Sequence, residues 1–122
     1  MTKTVVVTRP QGPYSGAGRL REKIRAQGFK TFDLPLLSCV PTSVSADRLS
    51  LIQQTLASGK AWVAFLSPTA VHIFRELLEQ NLPGARDLKG ISLAAQGVGT
   101  AEAIQECFGR TADFIPSVFV AE

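Results

Sequence analysis

The residues of this sequence best suited to chemistry follow three of its short apolar runs. They are Thr8 and Arg9 after VVV, residues 67–70 after WVAFL, and residues 97–101 after ISLAAQ. Hydroxyls, backbone amides and a guanidinium are groups that bind carboxylates and phosphates. The three segments contain no acid, histidine or thiol, so the sequence predicts sites that bind and position an anion rather than transfer protons.

Ser67 and Pro68 mark the start of a predicted helix. Serine is a preferred N-cap residue, and proline suits the first helical position because its missing amide hydrogen has no partner there. Capping alone would explain both residues. Where a capping box would have an acid, however, the sequence has Ala70, which leaves the positive helix start open to an external anion.

The segment GVGTAE, residues 97–102, has the form of a phosphate-binding turn that opens a helix. It has two glycines of the Gly-x-Gly-x-x-Gly pattern, with Glu102 in place of the third, and a tight turn that needs small residues explains it more simply. The stretch GPYSGAG near the N-terminus lacks the lysine of a phosphate-binding loop. Nucleotide binding is therefore left open without direct support.

Arg9 ends the first apolar run and is followed by Pro10. A guanidinium held in this way is a rigid two-pronged donor for a carboxylate or a phosphate. An ion pair with a nearby Asp or Glu is the alternative role for this side chain.

Metal and thiol chemistry are not predicted. Cys39 and Cys107 lack Cys-x-x-Cys spacing and lie in apolar settings, which favours free buried thiols over a disulfide or a metal pair. His72 is the only histidine of the sequence and is expected at the surface or boundary of a helix. The order of residues matches no Ser-His-Asp or paired-carboxylate arrangement, so no catalytic residue is predicted.

The bulk properties describe a folded protein of modest positive charge. The 122 residues are 45% hydrophobic, which suits one small domain or pieces of two. No apolar run approaches the roughly 18 residues of a membrane span, and the N-terminal run is too short for a signal peptide, so we expect a cytoplasmic protein without membrane contact. The net charge of +3 favours acidic ligands weakly.

A cluster of basic residues lies between residues 18 and 30. On a helix, Arg19 and Lys23 fall on one flank of an apolar stripe, and Arg21 and Arg25 fall on the other. Such flanking cations are typical of a solvated helix face. The sequence therefore favours no nucleic-acid partner.

Strands and helices are predicted to alternate along the chain. The predicted strands cover residues 4–9, 29–37, 62–66, 91–95 and 113–115; the predicted helices are one centred on Leu20 and Ile24, then 48–59, 68–80 and 100–108. Residues 38–47, rich in Ser, Thr and Pro, are a predicted linker. This order predicts an α/β fold of the flavodoxin-like, doubly wound type, with parallel sheets flanked by helices and ligands outside the carboxyl ends of the strands.

Five segments together resemble the uroporphyrinogen-III synthase family. They occur in the family's order and spacing: VVVTRPQG, LPLLSCVP, AFLSPTAV, AAQGVGTAEAI and DFIPSVFVAE. The resemblance covers essentially the whole chain. One departure is Gln96, which stands where the family usually has an aliphatic residue.

The resemblance implies an enzyme of tetrapyrrole biosynthesis, a lyase that needs no cofactor and no metal. The family closes linear hydroxymethylbilane into uroporphyrinogen III, inverts the last pyrrole ring and releases water. The rate would come from folding the substrate and stabilising the cation left when hydroxide departs. Its fold is two α/β domains joined by two crossover strands, with the small-molecule substrate in the cleft between them.

The family's binding segments transfer onto nine residues of this chain. The resemblance implies that these bind substrate carboxylates through hydroxyls and amides, with a role in domain architecture as the alternative for Arg9. The nine are Thr8, Arg9, Ser67, Pro68, Thr69, Ala70, Gly97, Thr100 and Ala101.

Members of the family are about twice as long as this chain, which leads to an expected arrangement. Residues 1–38 would form a strand-helix-strand arm of a discontinuous first domain, 39–116 part of a second α/β domain, and 117–122 the start of the segment leading to a missing second half. We then expect an incomplete two-domain fold that is weakly active or inactive alone. The chain would be a monomer, or a dimer if open sheet edges pair.

Two alternatives to a synthase stay open at the level of sequence. The first is a non-catalytic α/β module that binds a nucleotide or another anion, favoured by GVGTAE and the positive charge. The second is an interaction fragment that folds only with a partner supplying further strands.

Overall fold

The computed structural model describes residues 2–12 and 17–117 of the chain. The chain forms two compact units, Met1–Pro41 and Thr42–Glu122. The boundary between them falls inside the predicted linker, where residues 34–45 have no helix or strand. None of the helices in the described ranges is long and apolar enough to cross a membrane.

The first unit is a single strand-helix-strand element. Strand β1 (Thr4–Val7) pairs in parallel with β2 (Lys30–Asp33), and helix α1 (Ala17–Ala26) connects them. Gly28 ends the helical stretch with φ 85°, a left-handed conformation that glycine adopts without strain. The unit therefore has the predicted order of elements.

The basic residues of α1 contact the neighbouring strand. Arg21 Nη1 donates to Asp33 Oδ2 at 2.8 Å, and Arg25 Nε donates to Thr31 Oγ1 at 3.0 Å. Two cations of the cluster, Arg21 and Arg25, are therefore bound by groups of the same unit. That the cluster has no nucleic-acid partner stays a prediction.

Both strands of the first unit are shorter and more exposed than predicted. The continuous apolar run of β1 predicts a strand covered on both faces, but this prediction is wrong, because burial alternates along the strand: Val7 is 3% exposed and Val6 is 53% exposed. Beyond β2, Leu36 and Leu37 are exposed as well. Cys39, predicted to be buried, is also exposed, since the segment around it packs in no helix or strand.

The second unit carries the remaining elements. They are helix α2 (Ala46–Ala57), strand β3 (Trp62–Phe65), helix α3 (Pro68–Asn81), a 3₁₀ turn (Pro83–Ala85), strand β4 (Ser92–Ala95) and helix α4 (Val98–Phe108). β3 and β4 are parallel, with Trp62 opposite Ser92 and Phe65 opposite Ala95. Phe114 forms a parallel bridge to Ala94, where a last short strand was predicted. The α/β class with parallel sheets and flanking helices is confirmed.

A hydrophobic core fixes α3 and α4 against one face of this sheet. Its fully buried side chains include Val71 and Leu78 of α3, Leu93 of β4 and Ile104 of α4. Burying a side chain of this size stabilises the fold by about 1.5–3 kcal/mol. The apolar run WVAFL predicts a strand buried on both faces. On the other face, however, Trp62 is 60% exposed, so β3 is buried on one face only.

Candidate functional site

The starts of α3 and α4 lie side by side at one edge of the second unit. Because β3 and β4 are parallel and paired in register, both strands end at the same edge of the sheet. The amide of Gln96 donates to the carbonyl of Phe65 at 3.1 Å, which ties the two exits together. A methyl group placed on Gly99 would lie 3.8 Å from Pro68 Cγ, so the first turns of the helices are in near contact.

The start of α3 is closed by its own serine. Ser67 is extended, with φ −158° and ψ 157°, and its Oγ accepts a hydrogen bond from the amide of Ala70 at 3.1 Å. Pro68 supplies no amide hydrogen, and the amide of Val71 bonds to the carbonyl of Ser67. The predicted N-cap is confirmed. An anion at Ala70 would have to displace Ser67 Oγ, although no acidic side chain occupies this turn.

The start of α4 is built differently. Gly97 is extended in the same way, with φ −161° and ψ −177°, but no side chain caps the helix. The helix begins at Val98, two residues earlier than predicted, so the glycine turn lies inside its first turn. The uncapped amides of a helix start carry about half an elementary positive charge. This start is therefore better suited to an external carboxylate than that of α3.

The side chains around the two starts differ in exposure. Thr100 is buried, with 5% of its surface exposed, so its hydroxyl lies within the packed base of α4. Thr69 and Ala101 are half-buried, whereas Pro68 and Gly99 are exposed. Backbone amides, more than hydroxyls, are thus the groups that this surface offers to a ligand.

Thr8 and Arg9 belong to the first unit. Both residues are exposed and follow the carboxyl end of β1, while the carbonyl of Thr8 accepts a bond from the amide of Leu36 at 3.5 Å. The structure thus gathers the predicted residues of the second unit into one cluster, formed by Ser67, Pro68, Thr69, Ala70, Gly97, Thr100 and Ala101. A binding role stays a prediction for these seven residues as well as for Thr8 and Arg9.

A guanidinium after α4 holds the edge of β4 and was missed by sequence reasoning. Arg110 donates to the carbonyls of Leu88 and Ile91 at 2.9 and 2.7 Å, and to Asp113 Oδ2 at 3.2 Å. Asp113 Oδ2 also accepts the amide of Leu93 at 2.7 Å. These bonds anchor the strand that leads into the α4 start.

A thiol–imidazole contact was also missed. Cys107 Sγ of α4 lies 3.2 Å from His72 Nδ1 of α3. Burial raises the pKa of the Cys107 thiol, and the charge of Glu106 raises this pKa further. Both residues border apolar helix positions, next to Val71 and Phe108, but only the packing of α3 on α4 brings them together. In residues 2–12 and 17–117, no three His, Cys, Asp or Glu side chains are grouped to hold a metal ion.

Comparison with known proteins identifies the family. The family model described as Uroporphyrinogen-III synthase HemD matches residues 18–122, a range that includes both helix starts but not Thr8 or Arg9. No curated protein matches the chain significantly. Because the match covers most of its length, this chain, with two helix starts paired at one sheet edge, belongs to the uroporphyrinogen-III synthase family.

Proposed function

We propose that this chain supplies a substrate-binding wall for the closure of hydroxymethylbilane to uroporphyrinogen III. In this reaction the last pyrrole ring is inverted and water is released. One observation carries the proposal: the starts of α3 and α4 are adjacent, with Gly99 against Pro68, within the range matched by the family model. Two neighbouring positive helix starts suit a substrate that carries several carboxylates.

Each helix start contributes modestly to binding. An anion at a helix N-terminus is stabilised by about 0.3–1 kcal/mol, and by up to about 2 kcal/mol where it is partly buried. Several such contacts are needed to hold a flexible tetrapyrrole in one conformation. We assign the first contact to the start of α4 at Gly97, because no side-chain cap closes this helix start as Ser67 closes that of α3.

The proposed role of the chain is to position the substrate. The first turns of α3 and α4 have no acidic side chain and present hydroxyls and amides. Holding the two ends of the linear substrate together lowers the entropic cost of ring closure. Backbone amides at these positive helix starts would stabilise the negative charge that develops on the departing hydroxide.

The test measures both binding and the identity of the product. Hydroxymethylbilane closes spontaneously to the I isomer, so any III isomer formed above a protein-free control, detected by chromatography, reports synthase activity, which we expect to be weak or absent for this chain alone. Uroporphyrinogen III should also shift the amide NMR signals of Val98, Gly99 and Thr100. Formation of the I isomer alone, together with unchanged amide signals, would refute the proposal.

An anion-binding module is the second candidate, favoured by the uncapped Gly97-Val98-Gly99 turn. Titration with ATP and NAD separates it from the synthase. Amide shifts at Gly97 and Gly99 with a nucleotide, and none with uroporphyrinogen III, would support the module.

A further inference from the structure

A cavity lies in the second unit where β4 begins, away from the candidate site. Its volume is about 410 Å³, within the range of small-molecule sites. Asn81, the last residue of α3, lines the cavity, whereas the candidate site is at the first turn of this 14-residue helix, about 20 Å away along the axis. The proposed function does not use this cavity.

The walls of the cavity are mainly apolar and carry one cation. Leu56 of α2, half-buried Leu82 and the buried side chains of Leu88 and Ile91 line it. Lys89 is the one charged residue among the described residues around it. This lysine is exposed and forms no ion pair within residues 2–12 and 17–117. A ligand that matches such walls has an apolar body and one negative group.

The turn that carries Lys89 is fixed by hydrogen bonds. Leu88 has φ 50°, a left-handed conformation that is strained for a residue other than glycine. Arg110 donates to the carbonyls of Leu88 and Ile91 at 2.9 and 2.7 Å, and the amide of Ile91 donates to the carbonyl of Leu88 at 3.0 Å. Because this turn is already ordered, less conformational entropy is lost when a ligand binds beside Lys89.

Two helices end at the cavity, and free carbonyls at a helix end disfavour an anion. At the end of α2, the amides of Ser58 and Gly59 donate to carbonyls of the last turn. At the end of α3, Asn81 Nδ2 donates to the carbonyl of Leu77 at 3.0 Å, and the amide of Leu82 donates to that of Leu78 at 2.8 Å. These bonds offset part of the negative charge of the helix ends, and the full charge of Lys89 favours an anion.

We propose that this cavity binds a carboxylate with a small apolar body. The carboxylate pairs with Lys89, and the apolar body lies against Leu56, Leu88 and Ile91. The bound ligand bridges α2 and the turn before β4. It therefore stabilises the packing of α2, a helix of 12 residues none of which is buried.

Octanoate is the probe, and NMR titration of the isotope-labelled chain is the measurement. For a ligand of this size we expect a dissociation constant of about 1–10 mM. The amide signals of Ala57, Leu82 and residues 88–91 should shift, and those of residues 98–100 at the candidate site should not. Octanoate should also raise the midpoint of thermal unfolding, because it binds the folded chain.

Lys89→Met tests the role of the charge, since methionine keeps an apolar stem. Octanoate should bind this variant about two- to fivefold more weakly, the effect of an exposed ion pair. Octan-1-ol has the same chain without the charge and should bind the variant and the unmodified protein equally. Lys23→Met is the matched control: this lysine of α1 does not line the cavity, so octanoate affinity should be unchanged.

Ala57→Leu tests the location, because Ala57 lines the cavity and a larger side chain there reduces its volume. This variant should bind octanoate more weakly than the unmodified chain. Equal octanoate affinity in Lys89→Met or in Ala57→Leu would overturn the proposal. So would amide shifts at residues 98–100 in place of 88–91, or none at either, in the unmodified chain. No tetrapyrrole is used, so the outcome is independent of the proposed synthase function.

Discussion

Gly99 of α4 packs beside Pro68 of α3, with space between them for one methyl group. A Cβ atom on Gly99 would lie 3.8 Å from Pro68 Cγ, an ordinary van der Waals distance. This proximity places two helix starts at one sheet edge, although 31 positions separate the residues in sequence (99 − 68). Because the two helix starts are adjacent, one ligand can contact the positive ends of both helices.

Gly99→Ala should stabilise the protein. The methyl group fits the available space, and alanine reduces the conformational freedom of the unfolded chain, so a gain of up to about 1 kcal/mol is expected. Urea unfolding measures it. Gly90→Ala is the matched control and should destabilise the protein, because Gly90 has φ 79°. A loss of stability in Gly99→Ala would mean that the two helices pack more closely than described.

Gly97→Ser should weaken ligand binding and stabilise helix α4. A serine at this extended residue would cap α4 as Ser67 caps α3, and would compete with a carboxylate for the amide of Thr100. We expect a stability gain of a few tenths of a kcal/mol. Uroporphyrinogen III should bind about two- to fivefold more weakly, measured by calorimetry.

Gly97→Ala is the control for this substitution. It adds the same Cβ atom without the hydroxyl, so any steric effect of the Cβ is shared by both variants. The alanine variant should bind uroporphyrinogen III more tightly than the serine variant. Equal affinities would show that the α4 amides do not contact the ligand.

Ser67→Ala should lower stability and leave ligand affinity unchanged or slightly higher, because it removes the group that competes with an anion for the Ala70 amide. The substitution removes the hydrogen bond from the Ala70 amide to Ser67 Oγ and should cost about 1 kcal/mol. Ser45→Ala, at the cap of α2, is the comparison; its bond to the Arg48 amide is longer, at 3.4 Å, so the loss of thermal stability should be smaller. A fall in tetrapyrrole affinity would instead show that the Ser67 hydroxyl touches the ligand.

Arg110→Ala should destabilise the second unit strongly. Its guanidinium donates hydrogen bonds to the carbonyls of Leu88 and Ile91. Hydrogen bonds from a charged donor contribute about 1.5–3 kcal/mol to stability. Arg86→Ala is the control, since Arg86 is 58% exposed and its pair with Asp87 spans 3.8 Å. That variant should change the free energy of unfolding little, by about 0.5 kcal/mol or less. Equal losses would contradict the anchoring role of Arg110.

Cys107 should react with iodoacetamide more slowly than Cys39 at mildly alkaline pH. Burial and then the charge of Glu106 raise the pKa of Cys107, whereas Cys39 is exposed. Glu106→Gln should speed the reaction of Cys107, because loss of the negative charge lowers the pKa of the thiol. Mass spectrometry of peptides follows both sites, and an unchanged Cys107 rate in Glu106→Gln would contradict the electrostatic cause.

The same pKa shift predicts a pH dependence of stability. The folded chain keeps the Cys107 proton to higher pH than the unfolded chain does. The contribution of this thiol is therefore fully present below the unfolded pKa and is lost as pH rises through the higher folded pKa. The loss should be absent in Cys107→Ala, measured by urea unfolding across the alkaline range.

Local features of the fold were predictable from the chain. Capping by Ser67 depends on a hydrogen bond three residues away, and the end of α1 at Gly28 depends on one left-handed residue. The wrong predictions concern burial and strand length, which depend on the neighbouring strands and helices. The burial of Cys39 and the extent of β2 depend on which strands and helices pack alongside, and side-chain alternation alone does not specify that.

The sequence by itself determined the order of strands and helices, the start of α3 and the residue types at each strand end, because these depend on periodicity and short-range hydrogen bonds. Only the tertiary structure decided that α4 begins at Val98 without a side-chain cap. It also decided which distant groups meet, as in the contact of His72 with Cys107 over 35 positions and the bond of Arg110 to Leu88 over 22. The physical reason is that parallel pairing of β3 with β4, and the packing of helices on a shared core, set such contacts, and neither is encoded in any single local segment.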